Sequence, residues 1–183
     1  MVGGSQGLFG LRRLRSLSLR SRAALLFECC ASSRWAAIVA ERLDECENDA
    51  QFYDLIDDVW WMLSPGDWQE AIDANPRPAL PNAHGSGSAL LREIAECLRA
   101  YEERFAMAYI TRSQGRGAAE LLLVLRKRLS NPPGVEARIA AAEQIEITRA
   151  RLLQALGTPP SVPDNGRHGL RVPIAAFGEA LPA

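Results

Sequence analysis

Apolar residues recur at helical spacing in segment after segment of this chain, and no alternating apolar–polar run marks a half-buried strand. "RSRAALLFECC" and "ASSRWAAIVAERL" are two such segments, split by a small polar turn at Ser32-Ser33. "NDAQFYDLIDDVWWML" opens on an Asn48/Asp49 cap. It sets Phe52, Leu55, Val59 and Met62 on one face, with Ile56, Trp60 and Leu63 beside it. Ser64 and Pro65 start a short helix, the serine capping and the proline suiting the first turn. From Asn75 to Ser88 the composition turns to Pro, Asn, Gly and Ser, which reads as a loop. The helical pattern resumes in "ALLREIAECLRAYEERFAMAYI", where Leu91, Ile94, Leu98, Tyr101 and Phe105 align. "GRGAAELLLVLRKRL" and "GVEARIAAAEQIEITRARLLQAL" follow, the second keeping its period through Val135, Ile139, Ala142, Ile145 and Leu152. The expected fold is all-α, a single-domain helical bundle. Residues 1–14 are expected as a disordered lead-in, 15–156 as the helical domain, and the Pro/Gly-rich 157–183 as a disordered or loosely draped tail.

Composition excludes several classes of function. With 183 residues and 48% hydrophobic content the chain has the apolar mass for one real core, and a net charge of −1 exerts no general pull on nucleic acid or anionic membrane. No apolar run approaches the length that spans a bilayer. Cys29, Cys30, Cys46 and Cys97 show neither CxxC spacing nor a secreted disulfide pattern, so reduced thiols in a cytoplasmic protein are expected. The only histidines, His84 and His168, have no metal-ligand neighbour at helical spacing, which argues against a zinc site. The Arg-rich stretch from Leu8 to Phe27 has two readings. It is either an organelle transit peptide or a ragged lead-in running into a basic first helix, and its helically spaced leucines favour the second.

Motifs alone do not identify a reaction. "ITRSQGRGAAELL" joins a turn to a helix, but Glu120 breaks GxGxxG and the P-loop lysine is missing. Backbone N–H groups at that helix start, with Arg116 beside them, could still hold a carboxylate or another small anion. "HGSGS" at 84–88 reads as a linker, and no GxSxG supports a Ser/His/Asp triad. Trp35, Trp60, Trp61 and Trp68 read as core, the acidic run from Glu41 to Asp58 as a solvated face, and Arg126, Lys127 and Arg128 as complements to a helix C-terminus.

The order of segments carries more. "LLFECCASSRWAAIVAERL", "DVWWMLSPGDWQEAIDANPRPAL", "YEERFAMAYITRSQGRGAAELLLVLRKRLSNPPGVE" and "AAEQIEITRARLLQAL" together resemble the 2-oxo-4-hydroxy-4-carboxy-5-ureidoimidazoline (OHCU) decarboxylases, over roughly residues 15 to 156. The resemblance implies an all-helical, cofactor-free carboxy-lyase of urate degradation that converts OHCU to (S)-allantoin. Its partner would be a small ureidoimidazoline or similar anion, with no nucleic acid or membrane partner, and a homodimer is left open. The chemistry sets what the pocket must supply. Loss of CO2 leaves electrons on the ring, and a proton must then arrive on one face. In the family an acid/base histidine stands in a His-Pro-(Arg/Lys)-(Ile/Leu)-Gly motif, a glutamate follows in Ser-x-x-Glu-Gln, and a Gly-Arg-Ser turn contributes contacts.

This chain departs from that pattern. Against the histidine motif, "EAIDANPRPAL" puts Asn75 where the histidine belongs, while Pro76 and Arg77 match. No counterpart of the glutamate motif is present, and Glu93 in the following helix reads as a surface charge. Ala106 replaces a glycine after Tyr-x-x-x-Phe, and Gly117 replaces the serine of the turn. The resemblance therefore assigns Asn75 to the catalytic position, with His84 as a substitute acid, and Pro76, Gly115, Arg116 and Arg151 to substrate binding. Two functions follow: an OHCU decarboxylase, or a catalytically impaired family member acting as a small-anion or protein-binding helical module.

Overall fold

A computed structural model describes residues 9–77, 88–111 and 117–157; the tail from 158, the stretch around His84, and Gly115 and Arg116 lie outside the described residues. Eight α-helices make up the described chain: α1 (Phe9–Arg15), α2 (Leu19–Cys30), α3 (Ser33–Arg42), α4 (Asp49–Met62), α5 (Pro65–Asp73), α6 (Ser88–Phe105), α7 (Ala118–Leu129) and α8 (Pro133–Leu156). No strand occurs among the described residues. The fold class is all-α, as the periodicity predicts.

The helix starts are written in short polar side chains. The Ser18, Ser32 and Asn48 side chains accept from the backbone N–H of Ser21, Trp35 and Gln51, and each stands in extended backbone before its helix. At α5 Ser64 and Asp67 form a reciprocal capping box with Pro65 in the first turn. The 24-residue α8 packs against α1, α2, α5 and α6. Buried tryptophans tie the layers: Trp35 Nε1 donates to Ile56 O at 3.0 Å, Trp60 Nε1 to Ala141 O at 3.0 Å, and Trp68 Nε1 to Trp60 O at 2.8 Å.

The structure corrects four expectations. First, the lead-in expected to be disordered through residue 14 is helical from Phe9. Leu11 and Leu14 are fully buried, and Asp49 accepts the Leu11 N–H at 3.0 Å. Asp49 thus leaves the solvated acidic face to cap α1. Second, Met62 is 67% exposed, because α4 ends there and Leu63 takes the inward position.

Third, α6 stops at Phe105 instead of running to Ile110. Ala106 adopts φ 51°, a left-handed conformation that terminates a helix. Met107, Ala108, Tyr109 and Ile110 then pass through the core as non-helical backbone. Buried irregular backbone needs partners for its polar groups. Here Gln69 donates to Ala106 O at 2.7 Å, Asp73 accepts the Ala108 N–H at 2.9 Å, and Arg128 donates to Ile110 O at 2.6 Å.

Fourth, Arg128 is 5% exposed and does not merely complement a helix end. Its guanidinium reaches Glu136 Oε1 at 2.7 Å, and Tyr101 donates to that same oxygen at 2.6 Å. Asn131 donates to the other oxygen of Glu136 at 2.7 Å, so the buried carboxylate is fully engaged. The inward face of α8 is accordingly Glu136, Ala140, Ala141, Gln144, Ile145, Thr148, Leu152 and Leu156, while Val135 is 48% exposed.

Candidate functional site

The last carbonyls of a helix lack intrahelical donors, and two such ends meet beside α8. At the end of α5 the Asn75 side chain folds back: Nδ2 donates to Ala71 O at 2.9 Å and to Ile72 O at 3.1 Å. At the end of α2, Cys30 O accepts from Gln144 Nε2 at 3.1 Å and Cys29 O from Arg151 Nη1 at 3.3 Å. The two ends are joined across α8. Asn75 Nδ2 reaches Gln144 Oε1 at 2.6 Å, and Asn75 Oδ1 accepts from Arg151 Nη2 at 2.8 Å.

This network fixes the amide. Backbone carbonyls only accept and a guanidinium only donates, so the nitrogen must face Ala71 and Ile72 and the oxygen must face Arg151. Asn75 is 7% exposed, and three acceptors share its two N–H hydrogens. Arg151 uses two of its five N–H groups on protein oxygens and has no carboxylate partner among the described residues. Its cation also suits a place where two helix C-termini converge.

Asn75 and Arg151 open onto a cleft of about 240 Å³, together with Pro76, Tyr109, Ile110, Thr111, Leu121 and Ile147. The structure thus brings together Asn75, Pro76 and Arg151 of the expected site. His84, Gly115 and Arg116 lie outside the described residues. Arg77, part of the motif, turns out to Glu102 at 2.8 Å, and Glu93 pairs with Arg126; none of these lines the cleft. Gly117 is the N-cap of α7, where no side chain caps the helix, so a serine at this place would supply the missing cap.

The cleft holds an amide, a guanidinium, a phenol and a threonine hydroxyl, and no imidazole or carboxylate among its described lining residues. Burial pushes the Tyr109 phenol above the ordinary tyrosine range, and the nearby Arg128 cation offsets only part of that. Sequence reasoning missed Tyr109, Thr111, Leu121, Ile147 and the supporting Gln144. The residues from 107 to 110 continue an apolar pattern that reads as helix, and nothing local shows that they leave it. A larger depression of about 590 Å³, lined by Trp61, Trp68, Phe105 and Met107, contains none of the expected site residues. No group of three or more His, Cys, Asp and Glu side chains suited to a metal ion occurs among the described residues.

Comparison with known proteins adds to this geometry. A plant relative, the uric acid degradation bifunctional protein TTL of Arabidopsis thaliana, is 31% identical over 145 residues, covering 68% of this chain and 44% of its own length. The chain therefore spans less than half of that relative. A crystal structure of an OHCU decarboxylase in the presence of (S)-allantoin superposes with a TM-score of 0.58 at 29% identity, over 71% of this chain and 95% of that one. A crystal structure of an (S)-allantoin synthase shares the fold, with a TM-score of 0.68 at 19% identity over 80% of this chain and 53% of that one. The family model described as OHCU decarboxylase matches residues 15–153. With that match spanning α2 to α8, the chain belongs to the OHCU decarboxylase family.

Proposed function

We propose that the Asn75–Arg151 cleft is the ligand site of this chain. It takes a small ureido compound of the OHCU type, and it decarboxylates that compound weakly or not at all. Family membership supports the ligand class. Arg151, a cation with no carboxylate partner among the described residues, supports an acidic or carbonyl-rich ligand. The observation that carries the second half is Asn75: its amide is consumed by protein partners and has no proton to transfer near neutral pH.

Decarboxylation leaves an electron pair on the ring carbon, which a positioned acid must protonate on one face. A positioned acid or base contributes on the order of 10²- to 10⁴-fold, about 3–5 kcal/mol of barrier. Without it the cleft can still bind and orient. OHCU made in situ from urate by urate oxidase and hydroxyisourate hydrolase tests this directly. Allantoin formed in the presence of the protein should stay close to the racemate of spontaneous decay, as read by circular dichroism. A strong excess of the S form would identify a working decarboxylase, its proton donor lying outside the described residues, with His84 the first to test.

A further inference from the structure

A glutamine on the inward face of a helix must satisfy both ends of its amide. Gln144 is fully buried in the middle of α8, and both ends are engaged. Its Nε2 donates to Cys30 O at 3.1 Å and to Thr148 Oγ1 at 3.4 Å, while Oε1 accepts from Asn75 Nδ2 at 2.6 Å. The Thr148 hydroxyl gives its own proton to Gln144 O at 3.0 Å, so toward the amide it can only accept. Two acceptors thus fix the Gln144 nitrogen, and its oxygen must face Asn75. The relay runs with one polarity from the cleft to the end of α2. Arg151 donates to Asn75, Asn75 to Gln144, and Gln144 to Cys30 O.

We infer that Gln144 is the positioning residue of the cation Arg151, and through it of a preference of the cleft for a carboxylate. This rests on the ligand-site reading above and narrows its ligand to ureido acids. Arg151 hangs on two acceptors, Cys29 O at 3.3 Å and Asn75 Oδ1 at 2.8 Å. Gln144 holds the neighbour of the first, Cys30 O, and the nitrogen of the second. It lies behind the cleft lining rather than in it, so it acts through Asn75 and the end of α2. The relay is also neutral. Amides stand at 75 and 144, and the guanidinium has no carboxylate partner among the described residues. A half-buried arginine held in one direction with its charge unbalanced favours a carboxylate over a neutral carbonyl.

The test is titration calorimetry near neutral pH with (S)-allantoin, which is uncharged, and with allantoate, which carries a carboxylate. Thermal unfolding of the free proteins accompanies it. Wild type should bind allantoate at least about tenfold more tightly than allantoin. Gln144→Met keeps the shape of the side chain and removes the relay. It should unfold at a lower temperature, since Cys30 O loses its donor, and bind allantoate about fivefold more weakly with little change for allantoin. Gln144→Asn keeps an amide too short to reach both Cys30 O and Asn75, and should weaken allantoate likewise. Arg151→Ala should weaken allantoate at least about tenfold, and adding Gln144→Met to it should cost less than about twofold more. A role confined to packing would weaken both probes alike, by the same factor with or without Arg151. That result, or unchanged allantoate binding by both Gln144 variants, would overturn the role of Gln144 and leave the ligand site standing. Equal binding of the two probes by wild type would overturn the carboxylate preference. Failure of wild type to bind either probe would remove the ligand-site reading and this inference together.

Discussion

At the scale of the residue, the site turns on one amide. Four protein contacts hold Asn75, and they come from backbone carbonyls at the end of its own helix and from Gln144 and Arg151 on α8. Its position in the cleft was legible through the family resemblance, as were Pro76 and Arg151. Its engagement was not, because the partners lie 69 and 76 residues away. The neighbouring cysteines make a separate prediction. Burial pushes the Cys29 thiol up to about 11 and the Cys30 thiol up to about 12, so both stay protonated at pH 8. Thiol-directed alkylation of the native protein, followed by mass spectrometry, should mark the half-buried Cys97 first and reach Cys29 and Cys30 only on unfolding. Fast native labelling of Cys30 would contradict the burial of the end of α2.

At the scale of the element, the break after α6 shapes the cleft. Ala106 sits at φ 51°, where a side chain carries strain of about 1–2 kcal/mol and glycine carries little. The glycine that the resemblance implies at this place would sit there without that strain. Ala106→Gly should stabilise the protein by about 0.5–1 kcal/mol in urea unfolding, the strain relief being partly offset by the extra freedom of glycine in the unfolded chain. A destabilised variant would mean that α6 does not end as described. Arg128 ties the end of α7 to Ile110 and to Glu136 on α8. Arg128→Met leaves Glu136 buried with a charge no longer balanced, and should cost about 3–5 kcal/mol by the same measurement. A loss within 1 kcal/mol of zero would contradict the buried pair. The sequence conceals this role because cations in a last helical turn are ordinarily solvated. The helix starts, by contrast, were legible, since Asn48 and Ser64 cap where short polar side chains precede an apolar period.

At the scale of the whole molecule, helical periodicity and capping suffice for the fold class, while the pattern of α8 misleads. Its buried face includes Glu136, Gln144 and Thr148, which no hydrophobic period would select. Those polar residues are the ones that brace the site and the break after α6. The fold holds together a cleft whose described lining carries an amide, a guanidinium and a phenol. No described helix is long and apolar enough to cross a membrane. The most direct measurement compares wild type with Asn75→His in the coupled assay from urate, following both the rate and the handedness of allantoin between pH 5 and 8. Wild type should give near-racemic product with no pH inflection. The imidazole variant should give at least about tenfold more S-form turnover, rising or falling around the ordinary histidine pKa of about 6.5. Efficient, S-selective turnover by wild type, with no gain in the variant, would contradict it.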